Sequence, residues 1–172
     1  MVLNDGTERR LSCRIQEGPD FASGDRPLWG AHQFYVVRFV ARDPFLYNPD
    51  QQSASGNFNG ATAVDIACDN SAGHMEAYPT IVINGAVTNP KLTLVSTGEV
   101  IEFTTTVAAG SHINVDTQEG VINLNDVAMD PLTLTKASTL FYIPRGCQTV
   151  QLTCSSGVSQ VTVKWYTQFL GI

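Results

Sequence analysis

Apolar and polar side chains alternate with a period of two along most of the chain. Tyr35, Val37, Phe39 and Ala41 take one side of their segment, and Val36, Arg38, Val40 and Arg42 the other. Leu92 with Leu94, Ile101 with Phe103, Ile113 with Val115, and Ile122 with Leu124 repeat the pattern. Near the C-terminus Val161, Val163, Trp165, Thr167 and Phe169 oppose Thr162, Lys164 and Tyr166. Successive strand residues point to opposite faces, so the pattern predicts strands with one packed face and one wet or partner-bound face. No stretch sustains the i, i+3, i+4 spacing of an amphipathic helix.

Turn residues fall between these runs. Asn84-Gly85, Thr97-Gly98, Ala109-Gly110, Asp116 to Gly120, and Pro144-Arg145-Gly146 each place a glycine or proline where a tight connection wants positive φ or a pre-set φ. Short strands with regular turns predict an all-β fold, an antiparallel sandwich or barrel. Residues 43–60, DPFLYNPDQQSASGNFNG, carry two prolines and then a Gly/Ser/Asn tract; they read as a strand-breaking linker. Residues 61–172 then hold enough strands for a complete sandwich. Upstream, in residues 1–42, two strands are expected at about 8–16 and 33–42, joined by a loop with Pro19, Gly24, Pro27 and Gly30. Two strands are marginal alone. Either they dock on the sandwich or they are the last strands of a domain completed elsewhere. Arg9, Arg10, Arg14 and Arg38 favour the second reading.

Charge narrows the function classes. The 172 residues hold 10 Lys and Arg against 16 Asp and Glu, a net charge of -6. An acidic surface is a poor match for nucleic acid, whose binding depends on Lys and Arg displacing counterions. No apolar run approaches the roughly 18 residues of a membrane span, and the start, MVLNDGTERR, is too polar for a signal peptide. Charged residues make up only 15%, below the about 25% usual in soluble domains. The polarity is carried by Ser, Thr, Asn and Gln, which suit sheet faces and surfaces buried against neighbouring subunits. Cys13, Cys68, Cys147 and Cys154 show no ligand spacing. They read as free thiols of a reducing compartment, with Cys13 and Cys154 in phase with apolar neighbours and expected in the core.

Candidate chemistry is sparse. His32 lies beside Trp29 at a strand start, and His74 has Glu76 near it, fewer ligands than a catalytic zinc needs. His112, Asn114 and Asp116 alternate along SHINVD and share the face opposite Ile113 and Val115. They are either ordinary solvent-facing strand residues or a polar triplet able to bind sugar hydroxyls. Tyr166 is expected outward and Trp165 inward, so Tyr166 is the aromatic candidate for a contact surface. No nucleophile elbow, zinc helix motif, P-loop or dinucleotide fingerprint occurs. No catalytic residue, metal site or cofactor is expected.

The segments FVARDPFLYNPDQ, EAYPTIVINGAVTNPKL, TGEVIEF, HINVDTQEGVINLN, LFYIPRGCQTVQL and VTVKWYTQFLGI, in this order and spacing, resemble the distal tail proteins of siphophages and related prophages. The resemblance runs from about residue 8 to the end. It implies a non-catalytic virion component of the tail tip or baseplate, made in the bacterial host cytoplasm, without membrane insertion or nucleic acid. It implies a homohexameric ring joining the tail tube to the tail-tip or baseplate hub and to receptor-binding protein. Mapped onto this chain, residues 61–172 would be a galectin-like (jelly-roll) β-sandwich, 43–60 the lead into it, and 1–42 a short remnant of a ring-forming β domain. The competing expectation is a carbohydrate-binding module for a host cell-surface glycan, with His112, Asn114, Asp116 and Tyr166 as its contacts.

Overall fold

A computed structural model describes residues 6–18, 37–60, 63–129 and 133–170. Trp29, His32 and the expected loop residues Pro19, Gly24, Pro27 and Gly30 lie outside the described residues, as does the first part of the strand expected at 33–42. Within the described residues the structure is built from antiparallel strands, and no helix is long and apolar enough to cross a membrane.

Two sheets enclose one apolar layer. The smaller has the order β5-β14-β8-β9, formed by Ala63–Asn70, Gly146–Thr153, Lys91–Leu94 and Val100–Glu102. In the larger, β15 (Ser156–Trp165) lies between β4 (Gln52–Asn59) on one side and β6 (Thr80–Asn84) with β7 (Val87–Thr88) on the other. Next to β6 and β7 run β11 (His112–Asp116) and β10 (Thr106–Val107), then β12 (Val121–Leu124) and β13 (Val127–Ala128). The alternation seen in the sequence sorts the faces. Ile81, Ile83, Ile113, Val115, Val161, Val163 and Trp165 point inward from the larger sheet, against Ile66, Cys68, Leu92, Leu94, Ile101, Val150 and Leu152 from the smaller. Each fully buried aliphatic or aromatic side chain stabilises the sandwich by about 1.5–3 kcal/mol.

Residues 43–60 depart from the expected linker. They hold β3 (Leu46–Tyr47), paired with β16 (Gln168–Phe169), and the eight-residue β4, paired along its whole length with β15. The Gly/Ser/Asn tract forms a strand because small residues are what this edge requires. A Cβ on Gly56 would sit 2.5 Å from Val64 Cγ1, so glycine lets β4 close down on β5, while Phe58 fills the core. Tertiary packing overrides the low strand propensity of the tract.

The glycine turns are confirmed at Gly98, Gly110, Gly120 and Gly146, all at positive φ. Gly85 is different. Its φ is not positive, and its missing side chain instead admits the backbone carbonyls of Val107 and Ala108.

The N-terminal segment does two things. Arg10 exchanges backbone hydrogen bonds with Tyr47 at 2.9 and 2.7 Å, and the Arg9 guanidinium lies 3.9 Å from the centre of the Phe169 ring, so this stretch docks on the β3–β16 shoulder. Beyond it β1 (Arg14–Glu17) and β2 (Arg38–Val40) form a separate two-stranded sheet. There Ile15 faces Phe39, each 60% exposed, and Arg38 pairs with Glu17 at 3.2 Å. Cys13, expected in a core, is exposed as well: it lies just ahead of β1, whose four residues are all exposed. Cys154 packs at the edge of the main core.

Candidate recognition surface

The outer face of the larger sheet follows from strand register, since residues opposite each other in antiparallel pairs share a face. One row runs Asn57, Gln160, Asn84, His112. The next runs Ser55, Thr162, Val82, Asn114, Asn123, and the third Ser53, Lys164, Thr80, Asp116, Val121. Lys164 and Asp116 bring opposite charges to the third row, and amides and hydroxyls dominate the rest. The outer face of the smaller sheet differs: it carries Asp65, Asp69, Lys91 and Glu102.

The structure brings His112, Asn114 and Asp116 onto one face, but their roles diverge. The His112 ring lies 3.7 Å from the Asp126 carboxylate, and its backbone N–H donates to Asn125 Oδ1 at 2.9 Å, tying β11 to the turn after β12. Asn114 sits mid-row with its Oδ1 buried and unpartnered. Asp116 accepts from the backbone N–H groups of Gln118 and Glu119, both at 3.0 Å; its carboxylate holds the turn that follows β11. Tyr166 is exposed and lies just past the end of β15, two strands and one row away from Asp116.

Two tyrosines not singled out by the sequence join that corner. Tyr78 precedes Thr80 on β6 as Tyr166 follows Lys164 on β15, so both leave the same end of paired strands. Tyr142 meets Tyr78 edge-to-face with ring centres 6.3 Å apart. The Ala77–Ile143 bridge puts this contact in place, because Ala77, Phe141 and Ile143 turn inward and leave Tyr78 and Tyr142 outside. The signal was present as period-two alternation through EAYPT and LFYI, next to an unforeseeable bridge. Leu140, beside Gly120, and Val121 extend the exposed apolar rim.

Tyr47, nearby, is already committed. Its hydroxyl donates to Asp43 Oδ2, and burial, then that carboxylate, push its pKa from 10.0 up to about 12. The Asp43 carboxylate also accepts the Phe45 N–H at 3.0 Å. Elsewhere, the negative charge of Asp69 raises the pKa of the exposed Cys147 thiol, whereas burial pushes Cys68 to about 12. The His74 ring sits edge-on to Phe169, with ring centres 5.4 Å apart. Among the described residues no three His, Cys, Asp or Glu side chains converge to hold a metal ion. Open depressions of about 280 and 380 Å³ lie beside the smaller sheet, both lined by Lys91 and Glu102 and neither by the candidate residues.

Against known proteins, the model of the siphovirus-type tail component, C-terminal domain, matches residues 72–169. Among solved structures, the Dit protein (gp 19.1) of SPP1 is similar over 97% of this chain, at 16% identity and a TM-score of 0.65. That protein is described as a paradigm of the hub adsorption apparatus in phages infecting Gram-positive bacteria. This chain spans 63% of its length. No curated protein matches. At such identity the structural likeness carries the fold, an antiparallel β-sandwich.

Proposed function

The chain belongs to the siphovirus-type tail component family, and on that premise we propose that it is a distal tail protein, a non-catalytic hub joining the tail tube to the tail tip. The observation that carries this reading is the family match across residues 72–169, which takes in β6 to β16. The exposed Ile15–Phe39 pair supports a second element of the reading: the β1–β2 sheet meets neighbouring subunits in a ring, most simply a homohexamer. An apolar pair left open on both strands is an association surface. The sandwich, galectin-like in this reading, then faces outward and carries receptor-binding components.

Purified particles test the assignment. Mass spectrometry is expected to find the protein in virions, and gold-labelled antibody to mark the distal end of the tail. Particles lacking the protein, or label confined to capsids, would overturn the proposal.

A further inference from the structure

We propose that the outer face of the larger sheet, together with the tyrosine corner at its end, binds a neutral polysaccharide built of pyranose rings. This goes beyond the tail-component reading and stands apart from it, because the binding is measured on the isolated full chain.

The first argument is unused hydrogen-bonding capacity. Among the described residues, the side chains of Ser53, Ser55, Asn57, Gln160 and Thr162 make no hydrogen bond to the protein, and Asn114 Oδ1 is buried without a donor. The opposite sheet is unlike this, since Gln151 donates to Asp65 at 2.7 Å and Glu102 accepts from Thr135 at 3.3 Å. A row of short hydroxyls and amides on rigid strands offers both donors and acceptors, as sugar hydroxyls require.

The second argument is the corner itself. Tyr78, Tyr142 and Tyr166 are 39%, 41% and 42% exposed, the first two meeting edge-to-face. Aromatic rings present apolar area against which the C–H face of a pyranose packs, while Tyr keeps a polar tip in water. Leu140 and Val121 continue that apolar rim.

Charge selects the kind of polymer. Lys164 and Asp116 oppose each other in sign on this face, and the chain as a whole carries -6. An anionic polymer would be repelled by the body and find a single lysine on the face. A neutral one matches it. With strands about 4.8 Å apart, the face from β4 to β12 is about 20 Å wide, room for several sugar rings.

The test uses glucan, galactan and mannan oligosaccharides as neutral probes and dextran sulfate as the anionic control, by calorimetry and amide chemical-shift mapping. At least one neutral probe is expected to bind, with shifts confined to the outer face of the larger sheet and the tyrosine corner. Tyr166→Ala and Tyr142→Ala are each expected to weaken it about tenfold, the factor that about 1.4 kcal/mol represents. Tyr166→Phe, which keeps the ring, should retain most of the affinity, and a Thr162→Val variant tests the polar row in a chain whose aromatics are intact. No binding of any neutral probe would overturn the proposal. So would binding untouched by all these variants, or equal binding of dextran sulfate. A Tyr166→Ala variant that changes only the oligomeric state would reassign the face to contact between copies. Absence from virions would sink the tail assignment and leave this result standing.

Discussion

Tyr47 shows how one residue's surroundings set its chemistry. Its hydroxyl is kept neutral by burial and by a carboxylate acceptor, so its folded pKa lies above the unfolded value of 10.0, at about 12. A raised pKa of this kind contributes stability that is whole below about pH 10 and is lost as pH rises towards 12. Absorbance titration at 295 nm is expected to show a tyrosine ionising at about pH 12, and Asp43→Asn to bring it earlier. Urea midpoints of Tyr47→Phe should fall less steeply than wild type over the same window. Tyr78, Tyr142 and Tyr166 differ from Tyr47 in being exposed, and that difference, not residue type, singles them out for the saccharide contact proposed above.

At the scale of elements, glycines that look alike in sequence do different work. Gly98 closes the β8–β9 hairpin at φ 77 with nothing within 4 Å of its missing Cβ. Gly85 lies where β6 breaks into β7, with Val107 O only 2.7 Å from where a Cβ would be. Gly85→Ala is therefore expected to cost about 1–3 kcal/mol by overpacking rigid backbone, whereas Gly98→Ala pays the left-handed penalty of about 1–2 kcal/mol. Denaturant unfolding separates them further: a variant crowding β10 should also disturb amide shifts across that strand, and Gly98→Ala should stay local to its turn. A similar logic applies to Asn70. Fully buried at the end of β5, it donates to the carbonyls of Met75 and Ile143 at 3.0 and 3.3 Å, holding the loop after β5 against the Tyr142 segment. Asn70→Ala should lower stability by about 1–3 kcal/mol, because the buried Ile143 carbonyl and the part-buried Met75 carbonyl each lose a donor.

The whole molecule is uneven in how its surfaces are finished. The sandwich buries its apolar layer completely, while the β1–β2 sheet leaves Ile15 and Phe39 in the open. Light scattering on the intact chain is expected to show concentration-dependent association, reduced by replacing Ile15 and Phe39 together with Thr. A wild-type chain that stays monomeric at high concentration would remove this sheet as an assembly surface. Charge is uneven too. Asp65, Asp69 and Glu102 against Lys91 make the smaller sheet's outer face acidic, while Asp116 and Lys164 offset each other on the larger one, so the two faces are suited to different neighbours.

Period-two alternation by itself determined the strands, the inward set from Ile81 to Trp165, the exposure of Tyr166 and the common face of His112, Asn114 and Asp116. These follow because side-chain direction in a strand is a local property of the backbone. The tertiary structure decided what depends on partners distant in sequence. It made a strand of the Gly/Ser/Asn tract at 52–59 by giving it β15 to pair with and Val64 to pack on. It turned Asp116 into a turn holder and left Cys13 exposed just ahead of β1. It also assembled Tyr78, Tyr142 and Tyr166 into one corner, because strand order and register are set by which apolar faces close on each other, and no single segment contains that information.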